Sequence, residues 1–581
     1  MENLAIARIF TEIADLLEIK NENPFKIRAY RNGADTIAHA PDRLANCTEE
    51  QLRAMPGIGR DLASKIREIA ETGEARYHRD LLEQFPPTIL DLLHLQGVGP
   101  KTVAQLYTQL GVRTIAELEA ACADGRVRAL KGMGSKKEQL ILKACAERKQ
   151  HSGRHLLPDA AEAAGLLLEY LRAECPTVMF VTVGSIRRGA DTSGDIDILA
   201  SGTDPHVMST FTRYKLVDRV LGQGETKSSV LLWGGIQADL RLVPAESQGA
   251  AMQYFTGSKT HNIALRDRAI ARGLKLNEYG LFRVEDGALV AGRDEAGIYA
   301  ALGLTDIPPE LREGRGELEA AERGGLPTLI TLADIRGDIH SHTTETDGRD
   351  DIEVMALAAR DAGFTYLAIT DHSKSLAMAN GLDEHRALAH AARIRTLSAR
   401  LDGMTLLAGI ECDILADGTM DLAEDCLAQL DVVIASVHSA FNQDQSQMTE
   451  RLLRAVACPH VDIIGHPTGR KLLRREGYRL DVNALIDAAA AAGVALEINA
   501  QVDRLDLPDT HAKAARERGV KIVISTDSHA AGGFRAMKWG VQMARRAWLT
   551  KDDVLNTGTM EEFRAGLRRN QRKENGRREK E

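Results

Sequence analysis

Nine side chains of the types that bind metal ions lie in the C-terminal half of the sequence, most of them directly after an apolar run. They are His340, His342, Asp347, His372, Glu411, His438, His466, Asp527 and His529, in or near the segments DIHSH, ITDHS, GIECD, SVHS, IGHP and STDSH. Strand ends bring such side chains together, and nine of them at one place suit several cations rather than one. A single histidine in such a position is more often a packed core residue, but this set predicts a metal-dependent hydrolase.

The mixture of imidazole and carboxylate groups suits Mn²⁺ or Zn²⁺ better than Mg²⁺. Such cations can activate water for attack on a phosphodiester and can stabilise the departing oxygen, so the chemistry requires no separate protein base. The same chemistry is indifferent to the ester around the phosphorus. The residues themselves therefore leave open exonuclease, 3′-phosphatase and abasic-site endonuclease action.

A second group of carboxylates lies in the segments GSIRRGADTSGDID and ADLRLVP. Asp195 and Asp197 are two residues apart on a predicted strand, so both side chains leave the same face. Such pairs are common in solvated turns, but here the neighbours are apolar and an unpaired carboxylate would be costly. Magnesium takes one or two carboxylates plus substrate phosphates, and Asp239 is the candidate third ligand. The pattern predicts a site for two Mg²⁺ or Mn²⁺ ions that activates a 3′-hydroxyl and neutralises pyrophosphate.

The residues just before this pair predict a binding site for a triphosphate. Gly184 and Ser185 stand at the end of a predicted strand and supply a turn. Arg187 and Arg188 follow directly and supply charged donors that suit phosphate oxygens.

A glycine signal is repeated three times in the first 150 residues. Each copy precedes a helical pattern, and the pairs are Gly57 and Gly59, Gly97 and Gly99, and Gly132 and Gly134. A Gly-x-Gly turn between two helices lets the backbone approach a phosphate, with free N–H groups of the next helix pointing at it. One such turn resembles a glycine at a helix C-terminus, but three predict helix-hairpin-helix motifs that bind a nucleic-acid backbone.

Length and composition indicate a globular protein of several domains. The chain has 581 residues, of which 44% are hydrophobic and 27% charged. No apolar run is long enough to span a membrane, and the start is typical of an amphipathic helix, so we expect a cytosolic protein. Seven cysteines without a CxxC pair argue against disulfides and against a thiolate zinc site. The net charge of −9 does not indicate nucleic-acid binding, although carboxylates that bind metal ions contribute to this negative charge.

The pattern along the chain divides it into segments. Seven apolar runs, around 334, 366, 406, 432, 461, 494 and 522, alternate with alanine-rich helical patterns and predict a (β/α) barrel. The expected boundaries are helical segments at 1–80 and 81–150, segments of mixed strands and helices at 151–245 and 246–315, a linker at 316–333, the barrel at 334–570, and a basic tail at 571–581. The tail is expected to be disordered and solvated rather than a second DNA site.

Four separated segments resemble the family X DNA polymerases over residues 1 to about 315. The segments are GSIRRGADTSGDIDIL, ADLRLVP, YFTGSKTHN and LNEYGLF. The resemblance implies a helix-hairpin-helix region made of an N-terminal domain (1–80) and fingers (81–150). A nucleotidyltransferase palm (151–245) and a thumb (246–315) would follow, with palm metals on Asp195, Asp197 and Asp239. It places the incoming triphosphate, its sugar and base, and the template against Ser185, Arg188, Gly194, Tyr254, Phe255, Gly257, Asn262 and Arg266.

The same resemblance assigns roles to the hairpins. Gly97 and Gly99 would contact the primer strand, and Gly57 and Gly59 the downstream strand. Lys65 falls where related polymerases carry the Schiff-base lysine of a lyase, but Asp61 and Ser64 depart from the family pattern. Because a neighbouring cation, not a carboxylate, activates such a lysine, Lys65 is expected to be a phosphate contact or a solvated residue.

Residues 334 to about 570 resemble the polymerase and histidinol phosphatase (PHP) domain, which implies a distorted (β/α)₇ barrel with up to three metals. By similarity, one metal is held by His340, His342, Glu411 and Asp527, a second by Glu411, His438 and His466, and a third by Asp347, His372 and His529. A carboxylate such as that of Glu411 can bridge two cations.

Together the two resemblances imply a family X polymerase for gap filling in DNA repair, joined to a nuclease that degrades 3′ ends. We expect a monomer that binds gapped or primer–template DNA and deoxynucleoside triphosphates. One alternative is a repair nuclease whose vestigial palm only binds DNA, although intact Ser185, Asp195, Asp197 and Asp239 speak against it. A small-molecule phosphatase is a further alternative, and the hairpins speak against that.

Overall fold

The computed structural model describes residues 3–40, 43–86, 88–93, 95, 98–151 and 153–570. Gly97 and the predicted basic tail at 571–581 lie outside these residues. The described chain forms two compact units, one that extends up to Arg154 and includes the short segment Leu473–Arg475, and one that contains the rest. In the described ranges we find no helix with both the length and the hydrophobicity needed to cross a bilayer.

Up to Arg154, the described residues of the first unit form helices joined by turns, with no strand among them. The helices are α1 (Asn3–Ile19), α2 (Pro24–His39), α3 (Glu49–Arg53), α4 (Arg60–Thr72), α5 (Arg76–Leu82), α6 (Ile89–Leu93), α7 (Pro100–Leu110), α8 (Ile115–Ala123) and α9 (Gly134–His151). Helix α1 buries Ile6, Phe10, Ile13 and Leu17, a spacing that places them on one face, and it packs against α2, α5 and α7.

The palm in the second unit is a five-stranded sheet in the order β2-β4-β7-β6-β5, in which only β4 and β7 are parallel. Its elements are β1 (His155–Leu156), α10 (Leu157–Glu174), β2 (Met179–Thr182), α11 (Gly184–Arg187), β3 (Thr192–Ser193), β4 (Asp195–Ser201), α12 (Val207–Thr212), β5 (Val217–Gln223), β6 (Lys227–Leu232) and β7 (Gln237–Val243). The side chains of β4 alternate between two cores. Ile196 and Ile198 pack with residues of α10 and α12, whereas Leu199 packs with Ala251 on the other face.

The thumb follows as a mixed α/β segment. It contains α13 (Gln248–Thr256), α14 (Lys259–Ile270), β8 (Leu274–Asn277), β9 (Gly280–Arg283), β10 (Leu289–Ala291), α15 (Glu295–Ala301) and α16 (Glu317–Glu322), with the three strands forming an antiparallel sheet. The segment predicted as a linker, 316–333, packs against this core. Glu317 is buried and its carboxylate lies 2.7 Å from His261 Nδ1, and Ala321 and Leu329 join the same apolar cluster.

The C-terminal barrel contains seven parallel strands in chain order. The strands are β11 (Gly337–Asp338), β12 (Tyr366–Ile369), β13 (Thr405–Asp413), β14 (Val432–Ser436), β15 (Ile463–Ile464), β16 (Ala495–Asn499) and β17 (Ile522–Ser525). The helices are α17 (Ile352–Asp361), α18 (Glu384–Ser398), α19 (Glu424–Leu427), α20 (Gln445–Ala457), α21 (Val482–Ala492), α22 (Asp509–Glu517), α23 (Met537–Arg546) and α24 (Met560–Gly566). A parallel bridge between Ser341 and Ser528 joins the first strand region to the last.

The barrel interior is filled by every second residue of its strands. Tyr366, Leu407 and Val523 share an inner cluster with Phe563 of α24, while their chain neighbours pack in the outer layer against the helices. The seven apolar runs predicted from the sequence coincide with β11 to β17. Since parallel strands in a barrel end at the same rim, side chains that follow them converge there.

Candidate metal centres and nucleotide cavity

The three palm carboxylates lie on one face of the sheet. Asp197 of β4 is the register partner of Asp239 on the parallel strand β7, and Asp195 lies two residues before Asp197. Because side chains alternate along a strand, all three point away from the core that contains Ile196 and Ile198. The structure therefore places the predicted palm residues together.

The electrostatics of this cluster fit a divalent cation. Burial, together with the charges of Asp195 and Asp239, raises the pKa of Asp197 to about 6. Asp239 is also buried, but hydrogen bonds from Lys227 and Gln237 hold its pKa below its ordinary value. Lys227 Nζ lies 2.8 Å from Asp239 Oδ2. Two carboxylates that together raise the pKa of a third form the kind of oxygen-rich site that Mg²⁺ or Mn²⁺ binds.

A cavity of about 520 Å³ opens beside Asp195 and Asp197. Its lining contains the predicted nucleotide- and template-binding residues of the palm and thumb except Arg187 and Gly194, namely Ser185, Arg188, Tyr254, Phe255, Gly257, Asn262 and Arg266. Thr256, Ser258 and Lys259 also line the cavity and were not predicted, although they belong to the same YFTGSK segment.

The turn at the start of α11 requires a glycine. Gly184 has φ +65°, and a Cβ at this position would lie 2.4 Å from Oδ2 of Asp197. The absence of a side chain lets the turn approach the carboxylate closely. The turn thereby brings Ser185 to the cavity.

The two arginines of this turn have different surroundings. Arg187 donates to both carboxylate oxygens of Glu295, which also pairs with the buried Arg312. Arg188 lines the cavity instead, and its Nε lies 3.0 Å from Glu313 Oε1. The expectation that both arginines donate to a triphosphate is therefore corrected for Arg187, which is held by the thumb.

The residues expected to contact the sugar and base are held by their neighbours. The rings of Tyr254 and Phe255 meet edge to face with centroids 5.1 Å apart, and the guanidinium of Arg241 lies over Phe255. Asn262 donates to the carbonyl of Tyr254 at 2.7 Å and accepts from the buried Gln253. These contacts orient one wall of the cavity before any ligand binds.

The nine barrel residues gather at the carboxyl ends of the strands, as predicted. Glu411 of β13 lies among five histidine rings, with His372 Nδ1 2.8 Å and His340 Nε2 3.4 Å from its Oε2. Its Oε1 lies 2.9 Å from His466 Nε2 and 3.3 Å from His438 Nε2. A carboxylate in this position can bridge cations on both sides.

Two aspartates complete the cluster. Asp527 Oδ1 lies 3.0 Å from His342 Nε2 and 3.6 Å from His340 Nε2. Asp347 Oδ1 lies 3.4 Å from His372 Nε2 and 3.5 Å from His529 Nε2. Asp527 adopts the left-handed φ of +52° and His466 one of +28°, conformations that are strained for residues other than glycine and that occur often at functional sites.

Three groups of these side chains have ligand atoms close enough for a shared ion. The groups are His342, Asp347, His372 and His529; His340, His342 and Asp527; and His372, Glu411 and His438. The division implied by the resemblance gave His342 and His372 to one metal each, whereas here each belongs to two groups. His466 joins through its contact with Glu411.

Several buried atoms of this cluster have no hydrogen-bond partner among the described residues. They are Nε2 of His340, both ring nitrogens of His342, Nδ1 of His372, Oε2 of Glu411 and Nδ1 of His466. Leaving such atoms unsatisfied costs free energy, and coordination to a cation would satisfy most of them. Burial lowers the pKa of His372, but the carboxylates of Glu411 and Asp347 outweigh it and raise the pKa to about 10. The donor set fits divalent ions.

Five family models match the chain in sequence order. They are a helix-hairpin-helix domain at residues 1–75, a SAM-like helix-hairpin-helix tandem at 89–147, the DNA polymerase beta palm at 159–238, the DNA polymerase beta thumb at 251–313 and the PHP domain at 338–501. A relative called DNA polymerase/3′-5′ exonuclease PolX, from Bacillus subtilis (strain 168), is 38% identical over 573 residues, which cover 98% of this chain and 100% of the relative. This chain belongs to the bacterial family X DNA polymerases with a C-terminal PHP domain. The predicted family and fold class are confirmed.

The barrel alone resembles shorter proteins. A probable phosphatase from Shewanella sp. (strain ANA-3) is 31% identical over 233 residues, which cover 38% of this chain and 88% of the relative. A probable phosphatase from Thermoanaerobacter sp. (strain X514) is 29% identical over 239 residues, which cover 39% of this chain and 93% of the relative. A polymerase palm and a PHP barrel together imply DNA, deoxynucleoside triphosphates and divalent metal ions as the ligands of this family X polymerase.

Sequence reasoning missed carboxylates that orient the metal-binding histidines. Glu497 Oε1 lies 2.7 Å from His340 Nδ1, and its other oxygen accepts from the backbone N–H of His466. Asp413 Oδ1 lies 3.0 Å from His438 Nδ1. A carboxylate on the second ring nitrogen fixes the tautomer and orientation of a ligating histidine. The available signal was a lone carboxylate within the apolar run VALEIN.

Two basic residues near the cluster were also not predicted. Lys471 Nζ pairs with Asp503 at 2.8 Å, and burial and the charge of Arg504 lower the pKa of Lys471. Arg504 Nε donates to Gln501 Oε1 at 3.2 Å, and Gln501 in turn donates to the carbonyl of Asp527 at 3.0 Å, so the charge of Arg504 lies near the cluster. Positive groups at this rim suit a phosphate-containing substrate.

The hairpin glycines of the first unit begin helices or form turns. Gly59 and Gly99 precede the first residues of α4 and α7, and a Cβ added to either would meet nothing within 4 Å. Gly57, Gly132 and Gly134 have positive φ values of +78°, +81° and +47°. Packing therefore does not require glycine at residues 59 and 99, and the open space beside them leaves room for a phosphate to approach the first turns of α4 and α7.

Lys65 lies on α4 in a pair with Asp61, with Nζ 2.5 Å from Oδ1. The ammonium also lies over the rings of Tyr30 and Tyr77. Asp61 thus sets a carboxylate against Lys65 at a position where the family pattern has a lysine. The role of Lys65 as a phosphate contact rather than a lyase nucleophile stays a prediction.

Proposed function

We propose that this family X polymerase fills gaps during DNA repair at Asp195, Asp197 and Asp239, and shortens 3′ ends at the barrel cluster around Glu411. The observation that carries the proposal is the register of β4 and β7, which sets Asp239 beside Asp197, at the edge of the cavity that Asp195, Asp197 and Arg188 line. The same unit contains a second, separate set of imidazole and carboxylate groups. Two such sets support two chemistries in one chain.

In nucleotide addition, Asp195, Asp197 and Asp239 would hold two Mg²⁺ or Mn²⁺ ions. Bound there, divalent ions lower the pKa of the primer 3′-hydroxyl and neutralise the departing pyrophosphate. Ser185 and Arg188 donate to the triphosphate, with the backbone of Gly194, and the ring wall of Tyr254 and Phe255 packs against the sugar and base. Gly257, Asn262 and Arg266 shape the remainder of the cavity, Arg266 toward the template.

In 3′-end removal, the nine barrel residues would hold up to three Mn²⁺ or Zn²⁺ ions. Bound there, such ions activate water and stabilise the departing 3′-oxygen. Glu497 and Asp413 keep the rings of His340 and His438 oriented, and Lys471 and Arg504 offer positive charge to the phosphate. Because barrel relatives carry the name phosphatase, removal of a 3′-phosphate is a second candidate activity of this centre.

DNA would be held by the helix-hairpin-helix turns of the first unit. The accessible N–H groups after Gly59 and Gly99 would bind backbone phosphates of the downstream and primer strands, with Lys65 as a further phosphate contact. The turn at Gly132 and Gly134 would add a third contact with the DNA backbone. We place the enzyme in the cytoplasm, with the chromosome, and as a monomer.

A primer labelled at its 5′ end and annealed beside a one-nucleotide gap tests the proposal. With Mg²⁺ or Mn²⁺ and the complementary triphosphate we expect extension by one nucleotide, and without triphosphate we expect stepwise shortening. Chelation of the metal should stop both reactions. Shortening without any extension would instead support a vestigial palm, and faster turnover of small phosphomonoesters than of the oligonucleotide would support a small-molecule phosphatase.

A further inference from the structure

The turn that lines the nucleotide cavity, residues 184–191, touches the PHP barrel at three points. The carbonyl of Arg188 accepts from Arg546 Nη1 at 2.8 Å. A Cβ added to Gly189 would lie 2.0 Å from Nε2 of Gln542, which is one helical turn before Arg546 on α23. On the other side, Arg470 Nη1 lies 3.0 Å from Asp191 Oδ2. Barrel residues thus contact the turn at Arg188 and Gly189 and again at Asp191.

Glu313 links the side chains of Arg188 and Arg546. Its Oε1 accepts from Arg188 Nε at 3.0 Å and from Arg546 Nη1 at 2.8 Å. The Arg546 side chain is 7% exposed, and those of Glu313 and Arg188 are each 16% exposed. Burial acts to raise the pKa of Glu313, but the charges of Arg546 and Arg188 hold it below its ordinary value. Charges shielded from water in this way interact strongly, so moving one partner disturbs the others.

The other terminal nitrogen of the Arg546 guanidinium, Nη2, forms an ion pair within the barrel. Arg546 Nη2 lies 2.8 Å from Asp509 Oδ2 at the start of α22, and the same oxygen accepts from Arg315 Nη1 at 3.0 Å. The guanidinium of Arg546 therefore has one end on a barrel carboxylate and the other on Glu313 and the backbone of Arg188. A rigid planar fork of this kind fixes its partners in two directions.

We propose that Arg546, a residue of the PHP barrel, positions Arg188 for nucleotide addition through Glu313 and the carbonyl of Arg188. The inference rests on the proposed contact between Arg188 and the triphosphate. Because Glu313 also pairs with Arg546, it competes less with the triphosphate for the side chain of Arg188 than it would if Arg546 were absent. Loss of Arg546 lets Glu313 pair more tightly with Arg188 and releases the backbone of the turn, and both changes weaken triphosphate binding.

Steady-state filling of a one-nucleotide gap by full-length Arg546→Gln tests this directly. We expect the KM for the deoxynucleoside triphosphate to rise about tenfold, with kcat changed by less than about twofold, because Arg188 holds the triphosphate equally before and during reaction. Shortening of a labelled 3′ end without triphosphate should stay at the wild-type rate. Arg546→Lys, which keeps the charge and loses the fork, should recover part of the loss.

Arg545→Gln is the matched control. Arg545 is the neighbouring residue of α23, but its guanidinium contacts Glu310 and the carbonyl of Ile330 rather than Glu313. We expect its KM to remain at the wild-type value. The double variant Arg546→Gln with Glu313→Gln should bind triphosphate no worse than Arg546→Gln alone, since the two residues act through one contact.

Arg188→Gln separates the two possible failures. If Arg188→Gln raises the KM and Arg546→Gln does not, the positioning role is overturned while the proposed triphosphate contact stands. If Arg188→Gln leaves the KM unchanged, the triphosphate contact itself is wrong and this inference falls with it. Parallel loss of gap filling and 3′ shortening in Arg546→Gln would indicate a general folding defect and would also overturn the role.

Discussion

Asp197→Asn is expected to abolish nucleotide addition while the shortening of 3′ ends continues. The substitution keeps the size of the side chain but removes the charge that lies beside Asp195 and across the strand pair from Asp239. Metal ions at such a site contribute several kcal/mol of transition-state stabilisation, so loss of about 4 kcal/mol would slow addition roughly a thousandfold. Single-turnover extension of a gapped primer measures the first activity, and release of a 3′ nucleotide without triphosphate measures the second.

Asp218→Asn is the control for this substitution. Asp218 lies on β5, the edge strand of the same sheet, and its side chain is exposed. The variant removes an identical charge from the palm on a strand that β6 separates from β7, so extension should remain at the wild-type rate. Loss of both activities in Asp197→Asn, with a normal circular dichroism spectrum, would contradict the assignment of two independent centres.

His342→Ala is expected to have the reverse effect, with 3′ shortening abolished and gap filling retained. His342 is fully buried, neither ring nitrogen has a hydrogen-bond partner in the described chain, and its Nε2 lies 3.0 Å from Asp527 Oδ1. It belongs to two of the candidate ligand groups, so its removal weakens both. We expect the rate of 3′ shortening to fall at least a thousandfold, which corresponds to about 4 kcal/mol of activation free energy. The content of bound metal, measured by plasma mass spectrometry, should also fall.

His385→Ala provides the matched comparison in the barrel. His385 is exposed on α18 and lies outside the three candidate ligand groups. Its replacement should change neither activity nor metal content. If His342→Ala retained wild-type shortening, the barrel cluster could not be the nuclease centre, and the palm would have to account for degradation as well.

The chemistry-bearing residues of both centres could be predicted because their motifs are local. Asp195 and Asp197 are two apart within an apolar strand, and this spacing alone fixes that they share a face. The partnership with Asp239 depends on which strand neighbours β4, and residue spacing made Asp239 a candidate without fixing that neighbour. Similarly, strand ends predicted that the barrel histidines converge, since parallel strands finish at one rim.

The contacts that orient these residues could not be predicted. Glu497 meets His340 from 157 positions away, and Arg546 meets Arg188 from 358 positions away. The sequence does not show which of Arg187 and Arg188 faces the cavity, because the pairing of Arg187 with Glu295 of the thumb decides it. The segment predicted as a linker likewise has a polar sequence, but its residue Glu317 is buried against His261. Long-range partners of this kind have no periodicity that a sequence can reveal.

Diffraction at the manganese absorption edge tests the central claim most directly. Crystals of the full chain with gapped DNA, a nonhydrolysable triphosphate and Mn²⁺ should show anomalous peaks beside Asp195, Asp197 and Asp239, and separate peaks around Glu411 and Asp527. The palm peaks should disappear in Asp197→Asn and the barrel peaks should weaken in His342→Ala, each without affecting the other. Well-ordered side chains at either cluster with no peak between them, at saturating Mn²⁺, would contradict the account.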